Sequence, residues 1–257
     1  MSELERKQES ESALQVLNDN GSQGSCWSCG DMVAAQFCKG CGKVQPAVPT
    51  DYFSFFGLPR KLNIDVAALE REMFNLSRQL HPDRYANASE EEQTWSLEQT
   101  SKLNDAYRTL RDPVARTEYL LKVEGIRAHD RSASATEAAR QSGAPKKQEV
   151  PPDLLEQVFE LNMQLEELRA NKKLGDEDYA LVREIEQAQH SLEHKLQAIR
   201  DELHALWNEW DALIDSSEQG DDRSGQRSAL CTKMLDLLNR RRYVKHLVGE
   251  IAEALAE

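Results

Sequence analysis

No run of 18 apolar residues occurs in the chain, so no membrane-spanning helix is expected. Positive charge is scarce as well. Lys and Arg number 32 against 45 Asp and Glu, giving a formal net charge of −13. A non-specific nucleic-acid binder needs a basic field to attract phosphates, and no region here is strongly basic. Cysteine is sparse and uneven: four of the five lie between positions 26 and 41, and Cys231 stands alone. That pattern argues against a disulfide framework and for metal ligation in a reducing compartment. The opening residues Met1-Ser2-Glu3-Leu4-Glu5-Arg6-Lys7-Gln8-Glu9 have no apolar core behind a basic start, so a secretory signal is not expected. Their acidic residues also argue against a mitochondrial transit peptide. A cytoplasmic location is expected, with an organellar form left open.

What is present is a charged, helix-rich composition, and 257 residues allow one large domain or two to three small ones. Residues 1–25 form a polar tail in which Leu4, Ala13, Leu14, Val16 and Leu17 could support a short helix. Two CxxC pairs follow, Cys26-Trp27-Ser28-Cys29-Gly30 and Cys38-Lys39-Gly40-Cys41-Gly42. Each pair makes a tight turn that aims two sulfurs at one point. Gly30 and Gly42 let backbone amides approach those sulfurs without a Cβ in the way. Four thiolates around Zn²⁺ make a closed structural site that contributes folding energy to a module (26–45) too small to hold a core. Iron suits the same donor set, and four unliganded thiols are the bland alternative. With Lys39 and Lys43 as its only cations, the module is a poor nucleic-acid binder.

After a connector carrying Pro46 and Pro49, Asp51 can cap a short helix that Gly57-Leu58-Pro59 ends. Val66, Leu69, Met73, Leu76 and Leu80 recur at steps of 3 and 4 and predict a helix over 65–80, capped by Asn63 or Asp65. A second helix is predicted from about 90 to 110, carrying Trp95, Leu103, Ala106, Tyr107 and Leu110. Between them lies Leu80-His81-Pro82-Asp83-Arg84. Pro82 cannot continue the first helix and restricts His81, so an exposed turn presents an imidazole, a rigid ring and a carboxylate. No nucleophile or second base accompanies it, so it is not read as an enzyme site. His81 could also simply cap the helix. Arg71 and Arg78 lie seven apart on one face, and Arg84 follows the turn. They read either as a basic docking surface or as a solvated face.

In that frame, residues 51–123 resemble the J-domain of the DnaJ co-chaperone superfamily. Asp51-Tyr52-Phe53-Ser54-Phe55-Phe56-Gly57-Leu58-Pro59, Leu103-Asn104-Asp105-Ala106-Tyr107-Arg108-Thr109-Leu110 and Leu238-Asn239-Arg240-Arg241-Arg242-Tyr243-Val244-Lys245-His246-Leu247 are similar to blocks of the HscB/Jac-type co-chaperones of iron–sulfur cluster biogenesis. Some members of that group carry a CxxC…CxxC module before the J-domain. The resemblance implies a non-enzymatic protein that docks on a seventy-kilodalton, ATP-dependent heat-shock chaperone through His81, Pro82, Asp83, Arg71, Arg78 and Arg84, stimulating its ATPase. It also implies a C-terminal domain that binds the iron–sulfur scaffold protein. No Gly/Phe-rich region is present, which argues against the alternative of a general J-protein delivering unfolded clients. A helical adaptor, and a metal-dependent enzyme or iron–sulfur carrier using Cys26, Cys29, Cys38 and Cys41, are the other rivals.

Residues 125–151 are rich in Ala, Ser, Gly and charge and read as a linker or insertion, with a transient helix at 133–141. From 152 to 257 three antiparallel helices are expected, over about 152–173, 177–215 and 226–255, with Asn171 and Gly175 ending the first and Asp176 capping the second. The second carries Val182, Ile185, Leu192, Leu196, Ile199, Leu203, Leu206, Trp210 and Leu213 as a coiled-coil-like seam. The third carries Leu230, Met234, Leu237, Arg241, Val244, Val248, Ile251 and Leu255. The overall class is all-α with a small zinc-binding module in front. By resemblance, the scaffold-binding face falls on Leu154, Leu155, Phe159, Glu160 and Met163. Leu155, Phe159 and Met163 share one face at steps of four, while Val158, Leu161 and Leu165 turn toward the bundle. All of these could instead be core. Arg240, Arg241, Arg242 and Lys245 are expected to pair with glutamates of the first two bundle helices. Trp207 and Trp210 are expected to pack the far end of the bundle. His190, His194 and His204 lack a third ligand and read as a solvated face.

Overall fold

The computed structural model describes residues 24–33, 36–126, 154–175, 178–216 and 223–256. The expected helices at 4–17 and 133–141, the linker from 127 onward and the Asp176 cap lie outside them. The molecule is predominantly helical, with a small cysteine-bearing hairpin at its N-terminal end and a helical bundle at its C-terminal end. The described residues divide into two compact units. One runs to Arg60 and resumes over Ile64–Arg116; the other holds Lys61–Asn63 and everything from Thr117 onward.

The first unit opens with β1 (Gly24–Ser25) antiparallel to β2 (Met32–Val33), Gly24 opposite Val33. Phe37 and Val44 form a further isolated bridge. Helix α1 (Tyr52–Phe55) starts at Asp51, whose carboxylate accepts the Ser54 amide at 3.0 Å. Helix α2 (Val66–Leu80) is capped by Asp65, which accepts from the Ala68 amide. A 3-10 turn, Pro82–Tyr85, connects it to α3 (Glu90–Arg111), whose Ser89 cap accepts the Glu92 amide and whose first turn holds Glu90, Glu91 and Glu92 against the helix dipole. The core gathers Val44, Phe55, Leu76, Leu80, Leu103 and Ala106. Val44, between the second CxxC pair and the connector, is 0% exposed. The cysteine segment therefore supplies part of the J-type core. Val66, expected on the buried stripe of α2, is instead exposed.

Helix α4 (Pro113–Val123) begins with proline at its first position, and Asp112 accepts the Ala115 amide at 2.7 Å. In the second unit α5 (Leu155–Leu174) ends at Gly175, whose φ of +71° is the left-handed conformation that closes a helix. Helix α6 (Tyr179–Ser216) is 38 residues, on the order of 55 Å long. Asp178 accepts from the amides of Ala180 and Leu181 at its start. Helix α7 (Ser224–Ala256) packs chiefly on α6.

Along α6 the buried positions are Leu181, Ile185, Leu192, Ile199, Leu203, Leu206, Trp207 and Trp210. Leu181, not Val182, leads that face. On α7 they include Leu230, Cys231, Met234, Leu238, Val244, Leu247, Ile251 and Ala254. Leu238, Leu247 and Ala254 thus replace the expected Leu237, Val248 and Leu255, and Arg241 is not buried. Leu230, Met234, Val244 and Ile251 hold their expected places along the whole helix, so the period is right; at the intervening steps it is the neighbouring apolar residue that is buried. Arg242 pairs with Glu118 of α4 at 3.1 Å, a partner on neither of the two helices expected.

Asp211 of α6 receives the backbone amides of Leu62 and Asn63 at 2.7 and 2.9 Å, with Asn63 Nδ2 donating to Asp211 and Asn208. Lys61 pairs with Asp215. These bonds explain why three residues from the N-terminal half belong with the bundle.

Asp51 supports a pH prediction. Burial would raise its pKa, but the Ser54 amide and the Arg60 guanidinium, 2.8 Å away, hold it below the usual carboxylate value. Its cap therefore stabilises the fold fully above the unfolded-state pKa, and that contribution is lost as pH falls through the lower folded value. Urea unfolding of the native chain and Asp51→Asn at several pH values should give a stability gap that closes only on the acid side. A constant gap from pH 7 to 3 would contradict this account.

Candidate metal centre and docking turn

The two CxxC turns are built identically. The Cys26 amide donates to the Asp31 carbonyl and the Gly30 amide to the Cys26 carbonyl; Cys38 pairs with Lys43 and Gly42 with Cys38 in the same way. Gly30 and Gly42 sit at φ of +80° and +72°, where a side chain would be strained. A Cβ on Gly40 would fall 2.0 Å from the Asp31 carboxylate oxygen, the far end of an exposed side chain that would have to turn away.

The four sulfurs lie within 4.8 Å of one another, with Cys26–Cys41 at 3.6 Å and Cys29–Cys38 at 3.5 Å. A tetrahedral ion with bonds of about 2.3 Å needs sulfurs about 3.8 Å apart, so the set fits one ion. Among the described residues no other group of three or more potential ligands gathers this closely. Burial alone would raise the Cys26 thiol, but the amides of Cys29 and Ser28 and the Cys41 sulfur bring it down to about 6. At Cys29 the Asp31 amide lowers the pKa, but desolvation and the other sulfurs, Cys38 foremost, push it well above the ordinary thiol value. Four thiolates this close need a cation between them.

The module is fastened to α3. Lys43 pairs with the buried carboxylate of Glu92 at 2.8 Å, which raises the lysine pKa. The Trp27 ring tilts against Trp95 at 5.4 Å between centroids, and Trp27 Nε1 donates to the Val44 carbonyl. Gln99 Nε2 donates to the Gln45 carbonyl at 3.3 Å, and Lys102 reaches the Val48 carbonyl.

The His81-Pro82-Asp83 turn sits on a helix end whose last three carbonyls are capped by side chains. The last carbonyls of a helix have no partner within it. Here Arg84 Nη1 donates to the Arg78 carbonyl, Tyr85 Oη to Gln79, and both Ser96 Oγ (2.6 Å) and Thr100 Oγ1 (3.0 Å) to Leu80. His81 Nδ1 accepts the Asp83 amide at 3.3 Å, so the ring proton of neutral His81 sits on Nε2 as a donor for a partner. His81 thus caps the 3-10 turn and remains exposed; the two roles are compatible. Asp83, Arg78 and Arg84 are exposed, and Arg71 makes only a 3.9 Å contact with Asp65.

Sequence reasoning passed over Phe74. It lies three residues after Arg71 and four before Arg78, on their face of α2, and is exposed. The signal was available: position 74 is off the apolar stripe of the helix, yet aromatic.

On the bundle, Leu155, Phe159 and Met163 are 53%, 69% and 58% exposed, an apolar line along α5 beside the exposed Glu156 and Glu160. Val158, Leu161 and Leu165 are buried, opposite them. Leu154 does not join the line: it is 2% exposed, because it precedes the first turn and packs inward. His190 and His194 are exposed, and His204 lies against Trp207 at 5.5 Å.

These features define a class: a helical protein carrying a His-Pro-Asp turn between two helices, with a separate C-terminal bundle. No family model matches the chain. It is 33% identical over 154 residues to the co-chaperone protein HscB homolog of Bordetella petrii, a match covering 60% of this chain and 81% of that protein. It is 37% identical over 106 residues to the iron-sulfur cluster co-chaperone protein HscB homolog of Arabidopsis thaliana, and 37% over 122 residues to mouse HscB. Those two matches span about half of the relatives' length, 42% and 52% respectively. The crystal structure of human co-chaperone protein HscB superposes with a TM-score of 0.58 at 24% identity, covering 89% of this chain and 96% of that one, and so shares the fold. The chain belongs to the HscB co-chaperone family.

The centre should carry one metal ion per chain by elemental analysis, and Cys29→Ser or Cys38→Ser should lower that to near zero. Zinc would leave the protein colourless. A visible absorption band in anaerobically purified protein would identify iron instead.

Proposed function

We propose that the protein is a non-enzymatic co-chaperone of iron–sulfur cluster assembly. It recruits an ATP-dependent, seventy-kilodalton heat-shock chaperone through the His81-Pro82-Asp83 turn, with Arg71, Arg78 and Arg84 as the basic surround. It holds the cluster scaffold protein on the line Leu155, Phe159 and Met163, with Glu160 at its rim. One structural zinc ion occupies Cys26, Cys29, Cys38 and Cys41. The observation that carries the reading is the turn itself: an exposed imidazole and carboxylate held rigid by four side-chain bonds to the end of α2.

The chemistry belongs to the partner. A docked module speeds hydrolysis only by binding the hydrolysis-competent arrangement better than the resting one. Each tenfold in rate needs about 1.4 kcal/mol of such preference. Pro82 and the capped helix end limit the entropy lost on docking, so more of the contact energy goes into that preference. The exposed apolar line with an acidic edge has the make-up of an interface core and rim. Carrying both surfaces on one chain raises the local concentration of client at the chaperone.

The test is single-turnover ATP hydrolysis by the chaperone with this protein, with and without the scaffold. Stimulation should be tenfold or more, rise further with scaffold, and vanish with His81→Gln. Leu155→Ala/Phe159→Ala/Met163→Ala should lose the scaffold effect while keeping basal stimulation. Stimulation indifferent to scaffold would indicate a J-protein with other clients. Absence of stimulation by folded, metal-loaded protein would leave the adaptor reading.

A further inference from the structure

A continuous chain of contacts runs from the metal site to the docking turn. Gln45 is buried, and its side-chain Nε2 lies 3.4 Å from Cys26 Sγ, also donating to the Lys43 and Val44 carbonyls at 2.9 and 3.2 Å. Its backbone carbonyl accepts from Gln99 Nε2 on α3. Gln99 is buried too, and its neighbours on the same helix, Ser96 and Thr100, hold the Leu80 carbonyl. Leu80 is bonded to His81. The second CxxC turn is tied to the same helix by Lys43, whose carbonyl accepts the Cys38 amide and whose ammonium pairs with Glu92.

The bonds of Gln45 to Cys26, Gln99 to Gln45 and Ser96 to Leu80 are buried, so water cannot replace them. A buried donor or acceptor left unpaired costs about 1–3 kcal/mol, which favours movement of these groups together. A tetrahedral ion leaves its four sulfurs little freedom, so it would fix Cys26 Sγ against Gln45 Nε2. The position of Gln45, and through it the seat of α3, therefore depends on whether the four sulfurs are gathered.

We propose that Gln45 and Gln99 are positioning residues that couple metal occupancy of the four-cysteine centre to the geometry of the His81-Pro82-Asp83 turn. Neither touches the chaperone. This rests on the co-chaperone reading only for its functional consequence; the coupling itself is a property of the first unit. By linkage, any factor by which metal tightens chaperone docking is the factor by which the chaperone tightens metal binding.

Amide hydrogen exchange of the full chain tests it, comparing zinc-loaded and chelator-stripped protein under reducing conditions. The Asp83 and Arg84 amides, bonded to His81 Nδ1 and the His81 carbonyl, report the turn. Stripping the metal should speed their exchange about tenfold or more while amides of α2 over 69–76 and of the bundle keep theirs. Gln99→Leu should retain one zinc per chain yet exchange at the turn like the stripped protein. Thr94→Ala, on α3 but outside the chain of contacts, should behave like the native protein. Equal turn exchange with and without metal would overturn the proposal. So would a uniform rise through 66–111, which would mean the metal only folds the unit. Chaperone ATPase separates the two readings. Stimulation by native protein that survives both stripping and Gln99→Leu sinks the coupling and leaves the co-chaperone function intact. No stimulation by native protein, with the exchange pattern as expected, does the reverse.

Discussion

The carbonyl of Leu80 is the point on which the first unit turns. A helix that stops at a proline leaves its last carbonyls without partners, and this one stops inside the protein. Ser96 and Thr100 both answer Leu80, while Arg84 and Tyr85 answer the two carbonyls before it. The bonds from α3 and from the 3-10 turn converge on the same short stretch. They fix how α2 meets α3 and where His81 stands. The His81-Pro82-Asp83 turn needs no strain to hold it; among the described residues the only positive φ angles are at glycines.

The cysteine segment belongs to the same construction. A stretch of about twenty residues cannot bury enough apolar surface to fold alone, and a metal ion commonly supplies the difference. Here the segment also lends Val44 to the neighbouring core and borrows α3 as a wall. Its two turns are the same turn made twice, down to the glycine that closes each. That repetition explains how so short a segment brings four sulfurs to one point.

Much of this was legible in advance, because the governing signals were local. The CxxC spacing, the Pro82 break, the caps Asp51 and Asp65 and the glycine after α5 each act within a few residues. The exposed line of Leu155, Phe159 and Met163 follows from a step of four. What was hidden depends on distance along the chain. Leu62 and Asn63 find Asp211 nearly 150 residues away, and no local pattern announces that. The seam of α6 and α7 was right along its length, with Ile185, Leu192, Ile199, Leu230, Met234, Val244 and Ile251 in place, and differed where two apolar neighbours such as Leu237 and Leu238 compete for one step. Val44 gave no sign of joining a core that begins after a proline-containing connector. The buried side of α3 was the hardest to see, because Glu92, Ser96 and Gln99 do not look like interior residues.

That helix is two helices in character. Its C-terminal half buries Leu103, Ala106 and Leu110, while its N-terminal half turns Glu92, Ser96 and Gln99 inward. The first half is held by exclusion of water and the second by particular partners. Should the cysteine segment part from it, α3 would show water the Glu92 carboxylate and the Gln99 amide, groups that water accepts readily. The departure of Val44 and Phe37 would also open the apolar core of Phe55, Leu76, Leu80, Leu103 and Ala106. The joint is therefore mixed, and a chain that lost it would carry an oily patch that invites association.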